Sequence, residues 1–166
     1  GTLSLPGTLG GSNWEGAAYD PDTGMLYIPS RTDVAVLSLV PGAEFSEVDW
    51  IQGPARTPNV DGIPIVQPPW GRITALDLTT GDMAWWIANA DTPARIANHP
   101  LLQGLALERT GIPTRAGLLA TKTLLFAGEG QGGNPIFRAH DKATGEIIAE
   151  IDLPASQTGL PMTYAH

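Results

Sequence analysis

The sequence contains no cysteine, which excludes disulfides, thiolate zinc sites and cysteine nucleophiles together. Basic residues are scarce. Nine Lys and Arg stand against 17 Asp and Glu, for a formal net charge of −8. A chain that neutralises phosphates needs Lys and Arg, so no nucleic-acid partner is expected. Charged residues of both signs make up 16% of the chain, below the usual quarter. Histidine is limited to His99, His140 and His166, too scattered to propose a metal triad. No apolar run approaches the roughly 20 residues of a membrane-spanning helix, and no leader pattern is visible at Gly1. Starting without Met and stopping abruptly at Thr163-Tyr164-Ala165-His166, the chain reads as a piece of a longer one.

What is abundant is turn chemistry. Gly 20 and Pro 15 are spread along 166 residues that also hold five Trp, a composition that suits a turn-rich β protein better than a disordered one. The stretch Gly10 to Ser30, GGSNWEGAAYDPDTGMLYIPS, joins a glycine-flanked Asn13-Trp14 pair to a strand, a tight turn and a second strand. Asp-Pro opens the turn, and Gly24 supplies the positive φ that closes it.

That hairpin, at 18–27, recurs at 75–85 and 138–149, each time as Asp-x-x-Thr-Gly followed by an apolar strand. The aspartates are Asp20, Asp77 and Asp141, separated by 57 and then 64 residues. Repeats of this kind, stretched by insertions, are the sequence form of propeller blades. A four-stranded antiparallel sheet cannot bury both faces alone, so neighbouring sheets stack. The aromatic after the turn is placed to wedge between blades. The third copy has Ala149 where the second has Trp85, so its contact should differ. The expected fold is all-β: a β-propeller fragment of about three four-stranded antiparallel blades within a single partial domain, 1–166.

Further strands are expected at Val34–Val40, at Arg72–Leu78, and at Leu118–Ala127 with a break at Lys122. Helix evidence is confined to one short turn within 93–107, because Pro100 and Gly104 interrupt it. Two insertions, 41–71 and 88–116, are long enough to be functional and should shape one face. The first holds six prolines and the aromatics Phe45, Trp50 and Trp70.

Several motifs read as structure. Gly128-Glu129-Gly130-Gln131-Gly132-Gly133 matches GxGxxG, but a strand follows where the dinucleotide fingerprint requires a helix, so it reads as a hairpin loop. Asp20-Pro21-Asp22 opens like a calcium loop yet lacks the rest of the ligand series; it is a turn. His140 lies in a strand and reads as structural. Lys122 reads as a strand lysine extending its charge to solvent. His99, in Asn98-His99-Pro100, is a candidate for a pocket rim.

The blocks GGSNWEGAAYDPDTGMLYIPS, PPWGRITALDLTTG, RAGLLATKTLLFAGEG, IFRAHDKATGEII and LPASQTGLPMTY, kept in that order, resemble the C-terminal part of the pyrroloquinoline-quinone (PQQ)-dependent dehydrogenases, in the quinoprotein glucose dehydrogenase-like branch. The segment from Asp77 to Trp85 is similar to that family's tryptophan docking motif. The resemblance implies part of an eight-bladed propeller with the quinone near its axis and a bound Ca²⁺ beside it. It places Asn13 and Trp14 at the cofactor, with the amide near a quinone oxygen. The catalytic base and the calcium ligands would belong to blades outside this sequence, so no catalytic or metal-ligating residue is assigned. It further implies a sugar or other alcohol as substrate, a quinone or cytochrome as electron acceptor, and the remaining blades as partners. The implied location is the periplasm, with any membrane attachment through a part outside this chain. Trp70 and His99 are assigned to the substrate mouth. The fragment alone is expected to be inactive and, with its sheet edges open, prone to aggregate. Two other readings stand beside this one. One is a non-catalytic propeller scaffold similar to the outer-membrane assembly lipoproteins; the other is sugar binding through exposed Trp50 and Trp70.

Overall fold

A computed structural model of the chain describes residues 1–44, 46–54 and 56–164; Phe45 and His166 lie outside them. In chain order, β1 (Thr2–Ser4) precedes the hairpin of β2 (Ala18–Asp20) and β3 (Met25–Arg31). The first insertion then carries five short strands: β4 (Ala35–Leu37), β5 (Leu39–Pro41), β6 (Trp50–Gln52), β7 (Asn59–Val60) and β8 (Ile63–Pro64). A second hairpin, β9 (Gly71–Asp77) and β10 (Met83–Ala88), leads to the one-turn helix α1 (Ala94–Ala97) and a 3₁₀ turn at Pro100–Leu102. Four strands finish the fold: β11 (Leu118–Ala120), β12 (Leu124–Gly128), β13 (Ile136–Asp141) and β14 (Ile147–Asp152).

These strands form two four-stranded antiparallel sheets, β2-β3-β9-β10 and β11-β12-β13-β14. The pairs β1-β4, β5-β6 and β7-β8 stand as two-stranded ladders. The all-β propeller architecture is therefore present, but the described residues contain two complete four-stranded blades where the repeat suggested about three. The hairpins at 18–27 and 75–85 belong to one blade, because β3 pairs along its whole length with β9, from Met25↔Asp77 to Arg31↔Gly71. The insertion between them splits a blade instead of separating two. The run expected as one strand at 34–40 also divides, since β4 pairs with β1 and β5 with β6. Lys122 sits exposed in the β11–β12 turn and not in a strand.

The three repeated turns close in the same way. The Asp side chain accepts from the backbone two residues on, at Asp22 N (3.2 Å), Thr79 N (2.8 Å) and Ala143 N (2.8 Å). The following Gly24, Gly81 and Gly145 take φ of 72°, 82° and 78°, a region that side chains disfavour. Each turn is a local consequence of five residues.

Period-2 alternation sets the core. Tyr27, Pro29 and Arg31 on β3 and Gly71, Ile73 and Ala75 on β9 face inward. Ala18, Tyr27, Ile73 and Ala75 of the first blade meet Leu118, Leu125 and Ala127 of the second. The blades are also pinned at the turn end. Trp85 packs against Tyr27 in a tilted arrangement (centroids 5.7 Å apart, planes at 36°) and donates its indole N–H to Lys142 O at 3.0 Å. A Cβ on Gly145 would lie 2.9 Å from the Trp85 ring, so the second blade's turn accommodates the indole only with glycine there. Lys142 Nζ pairs with buried Asp20 and donates to Thr121 O at 2.9 Å. The wedge expected of the aromatic is thus made by Trp85. Its counterpart Ala149 lies on β14, which is exposed at all six positions.

Candidate functional site

The hairpin turns occupy one rim of the two blades, and the long loops gather at the opposite rim. This follows from strand direction: β3, β10 and β12 end where β2, β9, β11 and β13 begin. The first strands of the two blades, β2 and β11, lie side by side, whereas β10 and β14 are the far edges. In a propeller the strands that converge are those nearest the central channel. The loops leading into β2 and β11 therefore sit at the axial part of the rim.

Asn13 and Trp14 are on the first of these loops. Asn13 Nδ2 donates to Leu9 O at 2.8 Å, and its Oδ1 accepts from Trp14 N at 2.9 Å. Each end of an amide can serve two partners, so one N–H and one lone pair remain for a ligand. Trp14 is 89% exposed and offers its whole indole face. Beside it lies a hollow of about 290 Å³ that includes Glu15, Arg115, Gln131 and Thr158. Arg115, from the loop before β11, pairs with Glu15 from the loop before β2. Burial opposes ionisation of Glu15, but its backbone hydrogen bond and the Arg115 guanidinium outweigh that and hold its carboxyl below the usual range. Gln157, next to the lining residue Thr158, ties the second blade's strands to the C-terminal segment. Its Oε1 accepts from Gly128 N at 2.8 Å, and its Nε2 donates to Gly117 O at 3.1 Å.

Trp70 and His99 lie elsewhere on the same rim. Trp70 is only 4% exposed, and its indole N–H donates to Val66 O at 3.0 Å. Sugar binding on an exposed Trp70 is therefore ruled out, although Trp50 is 60% exposed. The Trp70 ring forms a wall of a cavity of about 410 Å³ between the two insertions. His99 is half-buried; its Nε2 meets Asp61 O at 2.8 Å and its Nδ1 accepts from Leu101 N at 3.2 Å. With Arg95 Nη1, which donates to Gly62 O at 2.6 Å, it ties the second insertion to the β7–β8 turn of the first. The two insertions do form one face. Consecutive amides join the two regions: Arg31 N donates to Gly11 O at 2.7 Å, and Thr32 N to Trp70 O at 2.7 Å.

Sequence reasoning passed over a charged cluster under this rim. Glu129, wholly buried, accepts from Arg138 Nη1 at 2.6 Å and from Asn134 N at 2.7 Å. Arg138 also meets Glu150 at 2.6 Å and Asp91 at 3.1 Å, and Asp91 pairs with Arg109 at 2.6 Å. Burial disfavours the Arg138 charge, yet the carboxylates of Glu150 and Glu129 more than offset it and raise its affinity for the proton. The cluster joins the second blade to the insertion after β10 and fixes the Gly128–Gly133 loop, which is a hairpin loop as expected. Its signal was a lone Glu between glycines, with Arg138 and His140 at inward strand positions. His140 is structural: its Nδ1–H donates to Gly145 O at 2.9 Å, and burial lowers its proton affinity. No cluster of three or more His, Cys, Asp or Glu suited to a metal occurs among the described residues.

The description "Glucose/ethanol/alcohol dehydrogenase, beta-propeller domain", a PQQ family, matches residues 1–166, and the chain belongs to that family. It is 30% identical over 188 residues to a probable quinate dehydrogenase (quinone) of Xanthomonas campestris pv. juglandis, covering 98% of this chain and 23% of that protein. It is 27% identical to quinoprotein glucose dehydrogenase A of Acinetobacter calcoaceticus, over 99% of this chain and 22% of that one. The chain thus spans less than a quarter of the length of these two relatives. Among solved structures, a quinohemoprotein alcohol dehydrogenase of Comamonas testosteroni shares the fold at a TM-score of 0.63 and 19% identity, over 98% of this chain and 22% of that one.

Proposed function

We propose that this chain supplies part of the cofactor-facing rim of a PQQ-dependent dehydrogenase that oxidises a sugar or other alcohol and passes the electrons to a quinone or a cytochrome. The observation that carries the reading is the placement of Asn13 and Trp14. They precede the strand nearest the propeller axis, and Trp14 is almost fully exposed beside a polar hollow.

The residues present fit a flat, polyanionic quinone. Trp14 offers an aromatic face, Asn13 an unused amide N–H and Arg115 a guanidinium. A quinone bound here would supply the acceptor for the hydride of the alcohol carbon, which carries both electrons, while the hydroxyl proton leaves separately to a base. An amide N–H aimed at the quinone oxygen would stabilise negative charge growing there. The Arg115–Glu15 pair would hold the two axial loops together beside the hollow. The Ca²⁺ that accompanies the quinone in this reading takes its ligands from outside this chain, as does the catalytic base. The insertions carrying Trp70 and His99 frame the substrate mouth. The complete protein would act in the periplasm, its propeller closed by further blades.

Equilibrium binding to the complete reading frame tests the reading. Added pyrroloquinoline quinone should quench tryptophan fluorescence saturably, and Trp14→Ala should weaken binding by about 5- to 150-fold, the range for losing one aromatic stacking contact of roughly 1–3 kcal/mol. Equal affinity in wild type and variant would remove Trp14 from the site. No quench in either would instead favour the scaffold.

A further inference from the structure

The cavity between the two insertions has a composition that the axial site does not explain. Its lining combines Trp70, Val34 and Ile112 with Asp33, Asn59 and Arg95. Among the described residues neither Asp33 nor Arg95 enters an ion pair. The two opposite charges border one space without meeting. Arg95 has spent one N–H on Gly62 O, which orients the guanidinium and leaves its other donors free. Trp70 has used its indole N–H on Val66 O, so it turns only ring carbon to the cavity.

We propose that this cavity is a recognition site for a small polyhydroxylated carboxylate. Arg95 takes the carboxylate, Asp33 and Asn59 take hydroxyls, and the apolar part of the lining, Pro64, Ile112 and the largely buried Trp70, meets the carbon skeleton. The reasons are chemical. A neutral polyol would leave the guanidinium without a carboxylate, and guanidinium binds carboxylate through paired, charge-assisted hydrogen bonds. A purely anionic ligand without hydroxyls would set its charge near Asp33 with nothing for that carboxylate to accept. A mainly apolar lining with a few polar groups is the usual composition of a small-molecule pocket. That the bound molecule is the alcohol to be oxidised rests on the dehydrogenase reading; that it binds here does not.

Calorimetric titration of the complete reading frame separates the two. Quinate and glucuronate serve as carboxylated probes, and myo-inositol and glucose as neutral ones. The carboxylated probes should bind more tightly, and Arg95→Gln should weaken them by about 10- to 100-fold, the usual loss for a charge-assisted contact. The neutral probes should be little affected, and Arg95→Lys should restore part of the loss. Near-UV circular dichroism confirms that each variant is folded. If the probes show no preference for the carboxylate, or if Arg95→Gln binds like wild type, the site is overturned. If binding behaves as expected while quinone-dependent turnover is absent with every probe, the site stands and the dehydrogenase reading fails.

Discussion

Replacing Trp85 would test how the two blades are held together. The indole contributes two separable things: ring contact with Tyr27 and the core, and one hydrogen bond to Lys142 O at 3.0 Å. Trp85→Phe keeps most of the apolar contact and removes the hydrogen bond. The cost should be about 1 kcal/mol, because Lys142 O retains a partner in Tyr27 OH at 3.3 Å. Trp85→Ala also opens a void against Tyr27 and Gly145. A fully buried Trp costs about 3–5 kcal/mol when cut to Ala, and Trp85 is half-buried, so about 2–3 kcal/mol is expected. Urea unfolding, followed by far-UV circular dichroism, reads both values. If the two variants fall within about 0.5 kcal/mol of each other, the ring does not bridge the blades and the packing argument fails.

Two further predictions concern buried charge. Arg138→Met leaves Glu129 ionised and wholly buried without its guanidinium, which should cost about 3–5 kcal/mol in the same assay; a loss under 1 kcal/mol would show that Glu129 is not held as an ion. Lys142 and Thr23 hydrogen-bond the ionised Asp20 and hold its carboxyl below the usual value. The unfolded chain therefore binds the proton first as pH falls. The stabilisation is complete above the unfolded value of about 4 and is lost as pH drops through the lower folded value. The urea midpoint should fall across that window in wild type and fall less in Asp20→Asn; identical acid profiles would refute the pair's role.

Local chemistry was legible in this sequence and long-range pairing was not. Asp-x-x-Thr-Gly specifies its own turn, so all three hairpins stand where they were expected. Whether two hairpins share a sheet depends on β3 meeting β9 across a 39-residue connection, from residue 32 to residue 70. No repeat spacing encodes that. Trp70 shows the same divide: Pro-Pro-Trp-Gly marks a loop, but its burial comes from Val66 and from backbone bonds of residue 70 to Thr32 and Thr110. Asn13 and Trp14 were found by resemblance; the fold sets them on the loop before β2, with Trp14 exposed. Arg115 was invisible because its partner Glu15 is 100 residues away.

The central claim is that Asn13 serves a quinone bound at this rim. The complete reading frame, supplied with pyrroloquinoline quinone and Ca²⁺, should reduce a dye with a sugar or alcohol as donor. Asn13→Ala should lower kcat by about 100-fold, as loss of a hydrogen bond to developing negative charge does, while the far-UV spectrum is unchanged. Quinone-dependent turnover that is the same in both proteins would contradict the account.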